Sequence, residues 1–149
     1  MLEIGSPAPD VVLEDTDGRA VRLSGDGRAV LVYFLRSTTC PVCNRHVRDL
    51  VRRAGELAAA GVRVLVAAPE DPPVAAAWKA RRGIPFGVLA GRDGTPHELL
   101  GLRKAAFGSV QRSGTLLVDA KGVVRLARGA TLPTGGYDGK AIAAAVKEL

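Results

Sequence analysis

The two cysteines of the chain, Cys40 and Cys43, are separated by two residues and are the side chains best suited to chemistry. They follow an apolar run, residues 29–35, which is too short to span a membrane and is typical of a buried strand. A helical pattern begins directly after them. A Cys-x-x-Cys pair placed between a strand and a helix indicates a redox-active dithiol.

The helix predicted after this strand gives the two sulfurs different surroundings. Thr38 or Thr39 can cap it, and Pro41 suits its first turn, where a missing backbone N–H costs nothing. Cys40 lies at the helix start, where the helix dipole and unpaired N–H groups favour a thiolate, so it is the expected attacking sulfur. Cys43 lies on the inward-facing stripe as its partner. Apolar residues at helical spacing predict that stripe: Val47, Leu50, Val51, Ala54, Leu57 and Ala58.

Length and composition predict one domain, residues 1–149, of an ordinary globular kind. The chain has 47% hydrophobic and 24% charged residues, and it can bury roughly two-thirds of its unfolded surface. Its first residues contain neither a basic region nor an apolar stretch, so we expect no secretory signal, no membrane segment and a cytoplasmic location. In that compartment a cysteine pair is more often catalytic or metal-binding than structural.

The net charge of +6 raises the question of nucleic-acid binding. The basic residues are scattered along the chain without interleaved aromatic residues, and no nucleic-acid-binding motif accompanies them. We therefore expect a solvated, arginine-rich surface and no nucleic-acid partner. Attraction of anionic substrates or partners is an alternative use of the charge.

The order of apolar patterns predicts an α/β fold. Asp17-Gly18 marks an N-terminal β-hairpin, and a strand, helix and strand after it predict a right-handed parallel unit. Together the patterns predict a thioredoxin-like layout, with a central mixed sheet flanked by helices. The predicted elements are strands over 11–13, 20–23, 29–35, 62–68, 86–89, 115–119 and 123–126, and helices after the cysteines to Gly61, over 74–82 with Asp71 as cap and Gly83 as stop, over 95–100 and over 140–149.

Four segments carry a family resemblance: 5–10 (GSPAPD), 82–86 (RGIPF), 91–94 (GRDG) and 115–122 (TLLVDAKG). Their types and order resemble the thioredoxin superfamily, specifically its peroxiredoxin-like branch, the alkyl hydroperoxide reductase and thiol-specific antioxidant group. The resemblance covers almost the whole chain. It implies reduction of hydrogen peroxide or organic hydroperoxides, no organic or metal cofactor, and an external reductant that is a thioredoxin-like protein or a small thiol.

The active-site motif departs from the peroxiredoxin pattern and from the thioredoxin pattern. The peroxiredoxin pattern, Pro-x-x-x-Thr-x-x-Cys, places Cys43 on the attacking cysteine, Cys40 on the threonine and Arg36 on the proline. Thioredoxins and disulfide reductases instead use the first cysteine of the pair, which agrees with the helix-position inference. Gly114 stands where thioredoxin-type enzymes carry a cis-proline, which weakens the case for docking of peptide substrates. The sequence leaves the identity of the attacking cysteine open.

Other residues are candidates to support the reacting sulfur. Thr38, Thr39 and Arg36 are expected to supply hydrogen bonds and positive charge to it. The family's arginine would fall on Ser113, and Arg112 is one residue away. A shift of one residue moves a strand side chain to the other face. Whether Arg112 takes the role of the family's arginine therefore depends on the strand register.

Two other functions fit the same motif. The chain could exchange disulfides with protein substrates, as thioredoxins do. It could also be a non-enzymatic metal carrier or redox sensor that uses Cys40, Cys43 and His46, with His97 as a fourth ligand only if the fold brings it across. The polar neighbours of His46 favour a position on the exposed helix face. Trp78 is expected to pack rather than to bind substrate.

Overall fold

The chain alternates strands and helices over the residues that the computed structural model describes, which are 2–24, 26–90, 96–99, 104–105, 110–130 and 133–149. The elements are, in chain order, β1 (Val12–Glu14), β2 (Ala20–Arg22), β3 (Ala29–Phe34), α1 (Pro41–Ala59), β4 (Val62–Ala67), α2 (Pro72–Arg82), β5 (Gly87–Leu89), α3 (Pro96–Leu99), β6 (Lys104–Ala105), β7 (Val110–Gln111), β8 (Ser113–Val118), β9 (Val124–Ala130), a 3₁₀ helix (Pro133–Gly136) and α4 (Gly139–Lys147).

A five-stranded mixed sheet of order β5–β4–β3–β8–β9 forms the centre of the fold. Strands β3, β4 and β5 run parallel, β8 is antiparallel to β3, and β9 is antiparallel to β8. Strands β1 and β2 form a separate antiparallel pair, which confirms the predicted N-terminal hairpin. The predicted α/β class and mixed sheet are confirmed. The short β6–β7 pair and the 3₁₀ helix were not predicted.

The central strand β3 separates two hydrophobic clusters. Its side chains alternate, so that Leu31 and Tyr33 face the helices while Val32 and Phe34 face the β1–β2 hairpin. All six residues of β3 are buried, as the uninterrupted apolar run predicts for a central parallel strand. Helices α1, α2 and α4 all contribute fully buried side chains to the helix-side cluster, among them Leu50, Trp78 and Ile142.

The inward face of α1 is narrower than predicted. Its buried or partly buried apolar positions recur at alternating steps of four and three residues: Cys43, Val47, Leu50, Ala54 and Leu57. Val51 and Ala58 each lie one residue beyond this stripe, so the helix turns them towards solvent, and Val51 is 40% exposed. The prediction that these two residues pack inward was wrong.

The ends of α2 follow the predicted signals. Asp71 caps the helix by accepting a hydrogen bond from the Val74 N–H at 3.4 Å, and Gly83 ends it in the left-handed conformation at φ 60°. The predicted short helix over 95–100 is present as α3, while residues 95 and 100 lie outside the described part of the chain, as does the 91–94 segment. Among the described residues, no helix is long and apolar enough to cross a membrane.

Candidate active site

Cys40 is the residue that caps α1. Its backbone is extended, and its Sγ accepts a hydrogen bond from the Cys43 backbone N–H at 3.4 Å. Pro41 occupies the first turn of the helix, as predicted. The prediction that Thr38 or Thr39 caps the helix was wrong, because the sulfur takes the place of a hydroxyl. Both cysteines are free thiols.

The two sulfurs differ in their access to solvent. Cys40 is partly exposed at the helix start, whereas Cys43 is 0% exposed on the inward stripe, so their predicted placement is confirmed. Burial raises the pKa of the Cys43 thiol. Hydrogen bonds from the Tyr33 hydroxyl and from the Arg36 backbone N–H, the latter at 3.3 Å, oppose that rise in the pKa. Cys40 raises the pKa of Cys43 further, through its hydrogen bond and its charge.

The threonine hydroxyls before the helix have partners other than sulfur. Thr38 is buried, and its N–H and hydroxyl both donate to Glu70 Oε2, at 2.9 and 2.5 Å. The Thr39 side chain is exposed, and its hydroxyl hydrogen-bonds the Ser37 hydroxyl at 3.0 Å. The contacts in the described part of the chain therefore include neither of the hydrogen bonds to sulfur expected from these threonines. Arg36 reaches the sulfur of the buried cysteine through its backbone N–H.

A buried amide joins the cysteine loop to α2. The Nδ2 of Asn44 donates to the carbonyl oxygens of Thr38 and Cys40, at 3.0 and 2.9 Å. Its Oδ1 accepts a hydrogen bond from Trp78 Nε1 at 2.9 Å. Asn44 is 4% exposed and Trp78 is 0% exposed, so Trp78 packs as predicted and also holds the amide in place. The available signals were the lone Trp, whose buried N–H needs an acceptor, and a neutral amide beside the inward cysteine.

Under the first turns of α1 lies a cluster of aromatic and titratable side chains. The Tyr33 hydroxyl is 2.8 Å from His46 Nδ1, and the His46 ring stacks on Tyr137 with 4.7 Å between centroids. Tyr137 in turn donates to Asp49 Oδ2 at 2.6 Å. The expectation that His46 lies on the exposed face was wrong, because this pocket holds it partly buried. Burial, and secondarily Arg45, lowers the pKa of His46, while Asp49 opposes that change.

His97 lies on the other side of the sheet from the cysteines. It is fully buried, its Nε2 is 2.6 Å from the Leu35 carbonyl oxygen, and its ring packs edge-on against Phe34 on the hairpin side. Burial lowers the pKa of His97 to about 4. The fold thus does not bring His97 to the cysteines. Within the described ranges, no three His, Cys, Asp or Glu side chains are grouped as a metal site.

The register of β8 decides the position of Arg112. Gly114 pairs with Phe34 of β3, while the Thr115 hydroxyl donates to the Gly136 carbonyl oxygen on the helix side at 2.7 Å. Strand alternation therefore puts Ser113 on the helix side with Cys43, whereas Arg112 lies between β7 and β8. No contact among the described residues joins Arg112 to either cysteine, and no cis peptide bond occurs among them at Gly114 or elsewhere.

A family model and individual relatives both match this chain. The AhpC/TSA family model matches residues 4–127. The Mycobacterium tuberculosis protein Rv2521 is 30% identical over 141 residues, which cover 88% of this chain and 87% of that protein. The chloroplast peroxiredoxin Q of Oryza sativa subsp. japonica is 30% identical over 122 residues, or 81% of this chain. The match covers only 56% of the rice protein, so this chain spans little more than half of its length.

Solved structures share the fold at lower sequence identity. Peroxidoxin BcpB from Mycobacterium tuberculosis superposes with a TM-score of 0.84 at 18% identity, covering 100% of this chain and 99% of that one. Peroxiredoxin Q from Xanthomonas campestris gives a TM-score of 0.77 at 21% identity, covering 99% and 96%. These likenesses confirm the thioredoxin-like arrangement of the sheet and helices.

Proposed function

The chain belongs to the AhpC/TSA family, and from that premise we propose that it is a thiol-dependent peroxidase. Its substrates are hydrogen peroxide or organic hydroperoxides, and it cycles between a dithiol and a Cys40–Cys43 disulfide. The observation that carries the proposal is the free dithiol at the N-terminus of α1, with one sulfur open to solvent and the other buried beside it.

Cys40 is the attacking sulfur in this proposal because it is the one that a peroxide can reach. Its thiolate attacks one oxygen of the O–O bond, which breaks to give a sulfenic acid on Cys40 and an alkoxide or hydroxide that takes up a proton. The N-terminus of α1 and the Cys43 N–H at 3.4 Å stabilise negative charge at this sulfur. The peroxiredoxin pattern favours Cys43 instead, but the side chain of Cys43 is 0% exposed.

Cys43 then resolves the sulfenic acid. Its sulfur bonds to the Cys40 sulfur, and the sulfenic oxygen leaves as water, which leaves a disulfide within the first turn of α1. An external thiol, from a thioredoxin-like protein or a small molecule, restores the dithiol by exchange at the exposed sulfur. The cycle requires a reducing compartment, such as the cytoplasm. The proposed cycle uses the two cysteines and the external thiol, with no organic or metal cofactor.

Steady-state turnover tests the proposal against disulfide exchange with proteins. Peroxide consumption is measured with hydrogen peroxide and cumene hydroperoxide, with either dithiothreitol or thioredoxin plus its reductase as electron donor, and insulin reduction is measured in parallel. We expect peroxide turnover that is lost in the Cys40→Ser variant, with slow insulin reduction. Rapid insulin reduction without peroxide turnover would overturn the proposal in favour of a protein disulfide oxidoreductase.

A further inference from the structure

We propose that Tyr33 and His46 form a proton relay that deprotonates Cys43 when the disulfide closes and returns the proton when it opens. The relay is a further part of the reacting site and rests on the proposed function, in which Cys43 is the resolving sulfur. Tyr33 is the catalytic residue of the pair because it contacts the reacting thiol, and His46 acts through it.

The path starts at the buried sulfur. Tyr33 and Cys43 belong to the same buried cluster, where the Tyr33 hydroxyl acts to lower the pKa of the Cys43 thiol. On its other side the Tyr33 hydroxyl lies 2.8 Å from His46 Nδ1. In the productive arrangement the thiol donates to the phenol oxygen, and the phenol O–H donates to the unprotonated Nδ1. Tyr33 is 0% exposed, whereas His46 is partly exposed, so the path connects a sealed thiol to the protein surface.

The need for such a path follows from the burial of Cys43. A thiolate is the nucleophile in disulfide formation, yet this sulfur has no direct access to water that could take its proton. Through the relay, the Cys43 proton moves to the phenol oxygen as the phenol proton moves to His46. The Cys43 thiolate then bonds to the sulfenic sulfur of Cys40, hydroxide leaves, and the proton held on His46 completes a molecule of water by way of solvent.

The groups around the relay support these roles. Burial raises the pKa of Tyr33 far above its ordinary range, so its hydroxyl keeps a proton between transfers. His46 faces Tyr33 on β3 and the Tyr137 ring, with Arg45 and Asp49 on its own helix. Burial and Arg45 outweigh Asp49 and lower its pKa, so the imidazole is neutral near pH 7 and can accept the proton.

The same path runs backwards when the disulfide is reduced. An external thiolate attacks Cys40, the S–S bond breaks, and Cys43 leaves as a thiolate inside the protein. The relay returns a proton to it from His46, and His46 recovers one from water. A second external thiol then attacks the mixed disulfide on Cys40, so two thiols are oxidised to one disulfide for each enzyme disulfide reduced.

Two half-reactions test the relay, with Tyr33→Phe and His46→Gln as the variants. Closing of the disulfide is followed by quenched flow and mass spectrometry after one equivalent of hydrogen peroxide. Opening is followed after oxidation with diamide and addition of dithiothreitol, a reaction that does not depend on peroxidase activity. We expect both half-reactions to slow by about 100-fold at pH 7, at the lower end of general acid–base effects. Sulfenic acid formation should keep its rate.

Tyr137→Phe is the matched control, because it removes a hydroxyl from the same cluster but lies outside the path. The pH profile separates proton transfer from packing. In the unsubstituted protein, disulfide closing should reach its plateau with a midpoint below pH 6.5, whereas in Tyr33→Phe it should rise tenfold per pH unit as hydroxide takes over. Free imidazole should restore the rate of a His46→Ala variant, which a structural role would not allow.

The outcomes distinguish the relay from the proposed function. Oxidation by peroxide no faster than that of a free thiol would defeat the proposed function, and the diamide and dithiothreitol experiment would still report on the relay. Unchanged rates and pH profiles in both Tyr33→Phe and His46→Gln would overturn the relay. The relay would also be overturned if Tyr137→Phe slowed both half-reactions as much as Tyr33→Phe.

Discussion

Replacement of Asn44 by alanine tests the structural role of the buried amide between the cysteine loop and α2. The variant leaves two buried groups without partners, the Trp78 N–H and the Thr38 carbonyl oxygen. The Cys40 carbonyl oxygen keeps the backbone N–H of residue 44, at 3.0 Å. At about 1–2 kcal/mol for each unpaired buried group, the free energy of unfolding should fall by about 2–4 kcal/mol.

A double-mutant cycle with Trp78→Phe isolates the bond between the two side chains. Each single substitution orphans the partner left behind, while the double variant removes both polar groups, so its loss should be smaller than the sum by about 1–2 kcal/mol. The assay is urea unfolding of the reduced proteins at pH 7. Arg48→Ala, at an exposed position on the same helix, is the control and should change stability by no more than about 0.5 kcal/mol. Additive losses in the cycle would refute the role given to Asn44.

Three further predictions concern charged or titratable side chains. Burial would raise the pKa of Asp49, but hydrogen bonds from Tyr137 and two arginines outweigh it and lower the pKa from 3.8 to about 2. The free energy of unfolding should therefore fall by up to about 2 kcal/mol as the pH falls from 4 to 2. Asp49→Asn should remove that loss in acid unfolding curves. Burial lowers the pKa of His97 from 6.5 to about 4, so stability should fall as pH drops through that range, and His97→Gln should flatten the dependence in urea titrations at pH 5 and 7. Glu70→Ala orphans the Thr38 N–H and hydroxyl and should cost about 2 kcal/mol of unfolding free energy in urea titrations, and an unchanged free energy would contradict this role of Glu70.

The sequence predicts the frame of the site because local patterns determine it. The apolar run predicts β3, and the spacing after it predicts which face of α1 packs inward. Asp71 and Gly83 mark the ends of α2 by local turn chemistry, and the structure has them there. These features depend on residues within a few positions of one another, so one chain suffices to predict them.

Contacts between distant segments could not be predicted from the sequence patterns. Glu70 meets Thr38 across 32 positions, and Trp78 meets Asn44 across 34, so nothing in the local spacing marks them as partners. His46, a polar residue on a helix, was expected to face solvent. The expectation failed because Tyr33 from β3 and Tyr137, which follows the 3₁₀ helix, enclose its ring. The Thr38 hydroxyl was expected at the sulfur, but it donates to Glu70 from a distant segment, and the Thr39 hydroxyl hydrogen-bonds Ser37 in its own loop.

The central claim is that Cys40 attacks peroxide and Cys43 resolves the product. The direct measurement is the second-order rate constant for oxidation of the reduced protein by hydrogen peroxide, by stopped flow on Trp78 fluorescence with thiol counting, in Cys40→Ser and Cys43→Ser beside the unsubstituted protein. We predict that Cys43→Ser reacts as fast as the unsubstituted protein and stops at a sulfenic acid, while Cys40→Ser reacts no faster than a free thiol. Fast oxidation that survives in Cys40→Ser and is lost in Cys43→Ser would contradict the account and make Cys43 the attacking sulfur.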